Sequence, residues 1–220
     1  MEIYDEKYRK KLRDDVHNKK SILQSQRNKA KFFQTYCKNK KVLDLGSLDH
    51  HPKNAKSEAW LFSYLQEASS SILGLDYNQA GVEELQKAGY PIVFGDAQSF
   101  HFKEKFDVVT AGDLIEHLLD LNGFFISIKN ILKKNGSLVL STPNPWCWKY
   151  ILYHLLKARL YPINREHTAW FCIQTLIQLS GRFGFKYANH IYSSERAYEN
   201  FMPLPSNLKH TTLNIRFILD

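Results

Sequence analysis

Asp44, Asp76, Asp96 and Asp113 each stand where an apolar run gives out: Val42-Leu-Asp-Leu-Gly46, Leu73-Gly-Leu-Asp76, Gly95-Asp-Ala97 and Thr110-Ala-Gly-Asp113. A carboxylate at such a point is an acceptor for hydroxyl and amino groups. Asp76, after a second apolar run, is placed to take both hydroxyls of a ribose. Asp96 is placed to accept from an adenine amino group, with the backbone amide of Ala97 serving a ring nitrogen. The glycine turn after Asp44 is incomplete, because Leu48 and His50 stand where nucleotide loops often carry glycine. Those later glycines let backbone approach a pyrophosphate. Their absence disfavours a dinucleotide and favours an adenosine joined to an amino acid. His117 and His167 are candidate general bases, and a positioned base contributes about 10²–10⁴-fold to a transfer that must remove a proton.

The elements that position these groups alternate in type. Lys41–Leu45, Ser71–Asp76, Pro91–Phe94, Phe106–Thr110 and Ser137–Ser141 read as strands. Ser57–Glu67, Gln79–Ala88 and Phe124–Leu132 read as amphipathic helices, the last closed by Asn135-Gly136. This βαβ rhythm predicts a three-layer, Rossmann-like, mostly parallel sheet with helices on both faces. Tyr187–Tyr192 and Leu213–Leu219 supply a terminal antiparallel pair, which brings the sheet to seven strands. Ligands bind beyond the carboxyl ends of such strands, and the acidic residues named above all fall on that rim.

From Pro143 the regularity breaks. Pro143-Asn144-Pro145 forces a turn, and an aromatic stretch with Trp146, Trp148, Tyr150, Tyr153 and Tyr161 leads to a helix at 168–183. Residues 143–168 read as a lid over the acceptor, with Asn144, Trp146, Trp148 and Tyr150 as its contacts. Lys149, Lys157, Arg159 and Arg165 suit an anionic acceptor.

Residues 1–41 hold 13 Lys/Arg and 5 Asp/Glu, whereas residues 42–220 hold 17 of each. The formal net charge of +8 therefore resides wholly in the first segment. Residues 1–40 read as a basic helical extension ahead of a single domain at 41–220. The neutral body argues against a nucleic-acid track across the fold. The basic helices are the part suited to an anionic substrate or a membrane surface. No apolar run approaches the roughly 20 residues of a bilayer span. Cys37, Cys147 and Cys172 are scattered and read as reduced structural thiols of a cytoplasmic protein. No Cys/His spacing suits zinc, and His50-His51 are adjacent, which disfavours joint chelation; no metal is expected.

The motifs, taken together and in order, resemble those of class I S-adenosylmethionine-dependent methyltransferases over roughly residues 40–190. Val42–Gly46, Leu73–Asp76, Gly95–Ala97, Phe106-Asp-Val-Val109 and Leu132–Thr142 carry the resemblance. Ala111-Gly-Asp-Leu-Ile-Glu-His-Leu118, Thr142–Pro145 and Glu166-His-Thr-Ala-Trp-Phe171 are similar to the subgroup of ubiquinone-pathway and glycan-modifying methyltransferases. The resemblance implies S-adenosylmethionine as cofactor. It gives Asp44, Gly46, Ser47, Asp49 and Asp113 to the methionine end, Asp76 and Tyr77 to the ribose side, and Asp96 with Ala97 to adenine. It implies methyl transfer to a small-molecule or glycan acceptor, with O-methylation of a sugar hydroxyl foremost. The alternatives are N-methylation of an amino sugar, a nucleic-acid methyltransferase using the basic N-terminus, and a cofactor-binding module without transfer.

Overall fold

The computed structural model describes residues 29–48, 60–157, 166–194 and 203–220. The helices expected before residue 29 and the loop residues Asp49, His50 and His51 lie outside the described residues. In chain order the elements are α1 (Lys29–Cys37), β1 (Lys41–Leu45), α2 (Leu61–Ala68), β2 (Ser71–Asp76), α3 (Gln79–Lys87), β3 (Ile92–Phe94), β4 (Phe106–Gly112), α4 (Leu121–Ile131) and β5 (Leu132–Pro143). A 3₁₀ turn, Ile115–His117, lies between β4 and α4. Then follow α5 (Trp148–Lys157), α6 (Ile173–Gly181), β6 (Phe185–Ser193), the short α7 (Ser206–Lys209) and β7 (Thr212–Leu219).

The sheet has seven strands in the order β3-β2-β1-β4-β5-β7-β6. β3 through β5 pair in parallel, and β7 is antiparallel to both β5 and β6. This is the expected Rossmann-like architecture, and β1 lies where the strand order reverses, as a ligand crevice requires.

Strand alternation sorts the two helical layers. Leu43, Leu45, Val109 and Ala111 face α4 and α6, where Phe124, Phe125, Ile128, Leu176 and Ile177 complete one core. Val42, Val108 and Val139 point to the opposite face and pack with Phe32 and Phe33 of α1 and Leu65 of α2. Both phenylalanines are fully buried, so α1 belongs to the layer that covers the sheet. Asp44 and Thr110 share the parity of Val42 and Val108. Their side chains therefore emerge on the α1 face, which is where α1 delivers its first residue.

Two expected boundaries shift for physical reasons. Helix α4 begins at Leu121, earlier than its apolar spacing suggested, because the Asp120 carboxylate caps it by accepting from Gly123 N at 2.9 Å. Asn135-Gly136 does not close that helix. The chain is already extended at Leu132, and residues 133–136 bow out of β5 opposite Asp107. Asn135 takes a left-handed φ of 63° there, a conformation that asparagine tolerates, and Lys133 Nζ donates to Asp107 Oδ1 at 2.7 Å.

Among the described residues no helix is long and apolar enough to cross a membrane.

Gly74 is where β2 passes closest to its surroundings. A Cβ there would stand 2.6 Å from Ser47 Oγ, 2.8 Å from Ile92 Cγ1 and 2.9 Å from Phe62 Cε2. Gly74→Ala is expected to cost about 1–3 kcal/mol by overpacking, read as a lower urea midpoint at unchanged m-value.

Candidate active site

A cleft of about 290 Å³ opens at the carboxyl ends of β1, β2 and β4. Its floor is the turn after β1. Gly46 has φ +72°, and a Cβ there would meet Leu114 Cδ1 at 3.1 Å. A side chain at 46 would be strained in that left-handed conformation, so bare backbone lines the cleft. The turn is fastened from two sides: Trp60 Nε1 donates to Ser47 O at 2.8 Å, and Leu48 N donates to Asp76 Oδ2 at 2.9 Å. Leu48 buries its side chain among Trp60, Phe62, Val82, Leu85 and Ile92. The residue that broke the glycine pattern thus anchors the loop by its side chain and points its amide at Asp76.

Asp76 also accepts Asn78 N on Oδ1 at 3.0 Å and the backbone amide of Tyr77. Asp76 lines the cleft, where a carboxylate suits a diol. Burial raises its pKa above the usual carboxylate range, against the pull of these backbone donors. Tyr77, 77% exposed, lines the same cleft. Asp96 and Ala97 sit one strand over and are not part of the cleft wall; Gly95 N donates to Asp76 O and holds them beside it. Asp96 is exposed and accepts from Gln98 N at 2.8 Å.

Asp44 is 3% exposed. Thr110 Oγ1 donates to its Oδ1 at 2.6 Å, across a pair that the β1–β4 register sets opposite each other. Ser47 Oγ donates to its carbonyl at 2.8 Å. Burial raises the Asp44 pKa to about 7, against the hydrogen bonds from Thr110 and Ser47 and the positive charge of Lys29.

Asp113 is the strained residue of the rim, with φ +49°. Ser141 Oγ donates to its Oδ1 at 2.7 Å, and Asp113 N bonds Ser141 O at 3.0 Å. Lys29 Nζ, from the first turn of α1, pairs with its Oδ2 at 2.7 Å. Burial alone would raise the Asp113 pKa, but Lys29, Ser141 and His117 together hold it below the ordinary range. Gly112 lets Leu61 pack against β4; a Cβ there would stand 2.7 Å from Leu61 Cδ2 and at ordinary contact, 3.5 Å, from the Lys29 ammonium.

Beyond Asp113 the 3₁₀ turn brings Glu116 and His117 inward. Glu116 is 1% exposed, accepts from Thr142 Oγ1 at 3.0 Å through Oε2, and has no hydrogen-bond partner on Oε1 among the described residues. Burial, then the charge of Asp113, pushes its pKa up to about 8. Thr168 docks on the same turn, its N donating to Glu116 O at 2.8 Å and its Oγ1 to Leu118 O at 3.1 Å. That docking sets His167 edge-on to His117, ring centroids 4.7 Å apart. His167 contacts Trp170, and Trp170 contacts Tyr150 of α5.

Of the lid residues, Tyr150 therefore reaches the histidine pair through Trp170. Trp146 is 53% exposed, and Trp148 is half-buried. Asn144 is not in the cleft wall. It is buried, and its amide donates to Asn207 O at 2.6 Å and His210 O at 2.7 Å, which fastens the turn after β5 to the segment around α7.

Sequence reasoning missed Lys29 and Glu116 as site residues. Glu116 was visible as a motif neighbour of His117. Lys29 carried no signal, being one basic residue among the 13 of its segment.

A family model described as a methyltransferase domain matches residues 4–190. The chain belongs to that methyltransferase family. Its fold is that of the class I S-adenosylmethionine-dependent enzymes. Among curated relatives, a ubiquinone biosynthesis O-methyltransferase of Glaesserella parasuis serovar 5 is 32% identical over 87 residues, 40% of this chain and 33% of the relative. One from Histophilus somni is 40% identical over 78 residues, 35% of this chain and 29% of the relative. The chain thus spans about a third of the length of the curated relatives it matches. An S-adenosylmethionine-dependent methyltransferase of Thermotoga maritima, titled a possible histamine N-methyltransferase, superposes with a TM-score of 0.63 at 14% identity, covering 87% of each chain. A similar protein of Listeria monocytogenes gives 0.58 at 17% identity, over 87% of this chain and 96% of that one. These two likenesses concern the fold.

The residues fit the family cofactor: bare backbone at Gly46, the carboxylate of Asp76 in the cleft wall, and further carboxylates around the end where a cationic methionine group would sit. Asp76→Ala is expected to weaken S-adenosylmethionine binding at least tenfold, since a single hydrogen bond to a charged group is worth about 1.5–3 kcal/mol, as measured by calorimetry.

The pH dependence of stability follows from Asp44. Its folded pKa of about 7 lies above the ordinary 3.8. The folded state therefore holds a proton that the unfolded state has released, and stability falls as pH rises between these two values. Asp44→Asn is expected to flatten that fall, so that the variant gains on the wild type at about pH 8 relative to about pH 5 in urea unfolding. A parallel pair of pH profiles would contradict it.

Proposed function

We propose that the chain transfers a methyl group from S-adenosylmethionine to a hydroxyl of a small ring-bearing acceptor, a sugar or related metabolite. The supporting observation is the histidine pair. A nitrogen of each of His117 and His167 and a carboxylate oxygen of Glu116 lie within 4.8 Å of one another, beside Asp113. A hydroxyl needs a base as it attacks, whereas an amine needs only to be neutral beforehand. Glu116, its pKa raised to about 8, holds its own proton near neutrality, which leaves the histidines as the groups able to accept one. The curated relatives are named for O-methylation, which supports the same reading.

When bound, the cofactor supplies a methyl group already activated on a sulfonium. The chain supplies position and field. Asp76 and Tyr77 hold the ribose side, and Asp96 with Ala97 the adenine. Asp44, Gly46 and Ser47 shape the methionine end, and Lys29 with Asp113 sets its charge balance. Alignment of nucleophile, methyl and leaving group is worth roughly 7–11 kcal/mol. Trp146, Trp148 and Tyr150 cover the acceptor, and His167 takes its proton, with His117 as the neighbouring ring that fixes it.

His167→Ala is expected to lower kcat by about 10²–10⁴-fold with cofactor affinity unchanged by calorimetry. Methyl-labelled cofactor and a panel of hydroxyl and amine acceptors give the readout. Full activity of the variant would remove His167 from the reaction, and preference for amines would replace O- with N-methylation.

A further inference from the structure

The large apolar side chains left exposed are not evenly spread. Nine are exposed among the described residues, and five of these, Trp146, Ile151, Leu152, Leu155 and Leu156, fall within residues 146–156. Leu155 and Leu156 are 76% and 73% exposed. At about 100° per residue, Ile151, Leu152, Leu155 and Leu156 occupy one arc of α5 of about 140°. The other side of the helix carries Tyr150 and Tyr153, both half-buried, with Tyr150 against Trp170. Helix α5 is thus seated on the protein by its tyrosine side and turns an aliphatic stripe outward.

The stretch of sequence that carries the stripe has charge of one sign. Residues 146–165 contain Lys149, Lys157, Arg159 and Arg165 and no Asp or Glu. An outward aliphatic arc with basic flanks and a tryptophan at its start has the composition of a helix that lies in a lipid interface, and basic clusters favour anionic headgroups. At 10 residues, Trp148–Lys157 is too short to cross a bilayer and long enough to lie along one.

We propose that α5 docks the protein on an anionic membrane surface, with Ile151, Leu152, Leu155 and Leu156 entering the acyl boundary. Docking is a property of the outer face of α5, separate from methyl transfer. It would also set Trp170 and the histidine pair, which connect to α5 through Tyr150, close to the lipid side.

The test uses the full chain and vesicles of phosphatidylcholine alone or mixed with phosphatidylglycerol, separated by sedimentation. Wild type is expected to pellet with the anionic vesicles and to be released by salt. Leu155→Glu/Leu156→Glu is expected to lose about tenfold or more of its partitioning while keeping its melting curve and cofactor affinity. Brominated lipid in the anionic vesicles is expected to quench tryptophan emission of the unaltered chain through Trp146, a readout that needs no variant to fold. Three results would overturn the proposal: no vesicle binding, undiminished binding of the double variant (which would assign the contact to the basic N-terminal segment), or conversion of a dimer to a monomer by the double variant in light scattering (which would make the stripe a contact between copies).

Discussion

Carboxylates crowd one rim of the sheet, and the rest of the site is arranged around that crowding. Parallel strands must end side by side, so residues at their carboxyl ends are forced together whatever their charge. Asp44, Asp76, Asp113 and Glu116 meet there with Lys29 reaching in from α1. The structure relieves the repulsion in three ways. Asp44 and Glu116 are buried enough to hold protons near neutrality. Asp76 is satisfied by backbone amides. Asp113 stays ionised through Lys29 and Ser141. A ligand that brings positive charge to this rim completes the balance, a demand that a sulfonium beside an ammonium group meets.

The strained backbone at Asp113 belongs to the same account. A left-handed φ on a residue with a side chain costs of order 1 kcal/mol or more and persists only when its surroundings over-determine it. Three contacts do so: Lys29 on one carboxylate oxygen, Ser141 on the other, and Ser141 again on the backbone amide. The turn so fixed carries Glu116 and His117, and Thr168 then docks His167 on it. The position of the histidine pair is thereby traceable to the end of β4.

The parallel strands were legible in the sequence because their apolar runs are short, bounded and β-branched, and because each of the first four leads to an acidic residue. The terminal antiparallel pair was legible by the same alternation. The helix boundaries were less so: the Asp120 cap that starts α4 uses a residue outside the apolar spacing, and Asn135-Gly136, a common stop signal, serves instead to bow β5. In the site, strand-end carboxylates could be named because spacing alone places them. Lys29 could not, since nothing local distinguishes it from its basic neighbours; only the packing of Phe32 and Phe33 aims it. Asn144 shows the reverse case, a polar residue in a suggestive motif whose hydrogen bonds go to the main chain.

The place of β7 bears on how the chain is made. The sheet order puts β7 between β5 and β6, so β6 has no partner until residues 212–219 have been synthesised. Until then β5 presents an open edge, and α6 has only part of the apolar surface it finally covers. The rim built by β1, β2 and β4 needs none of those residues. During synthesis the nucleotide half can therefore take shape first, while the half beyond β5 waits for a strand drawn from the end of the sheet-forming sequence.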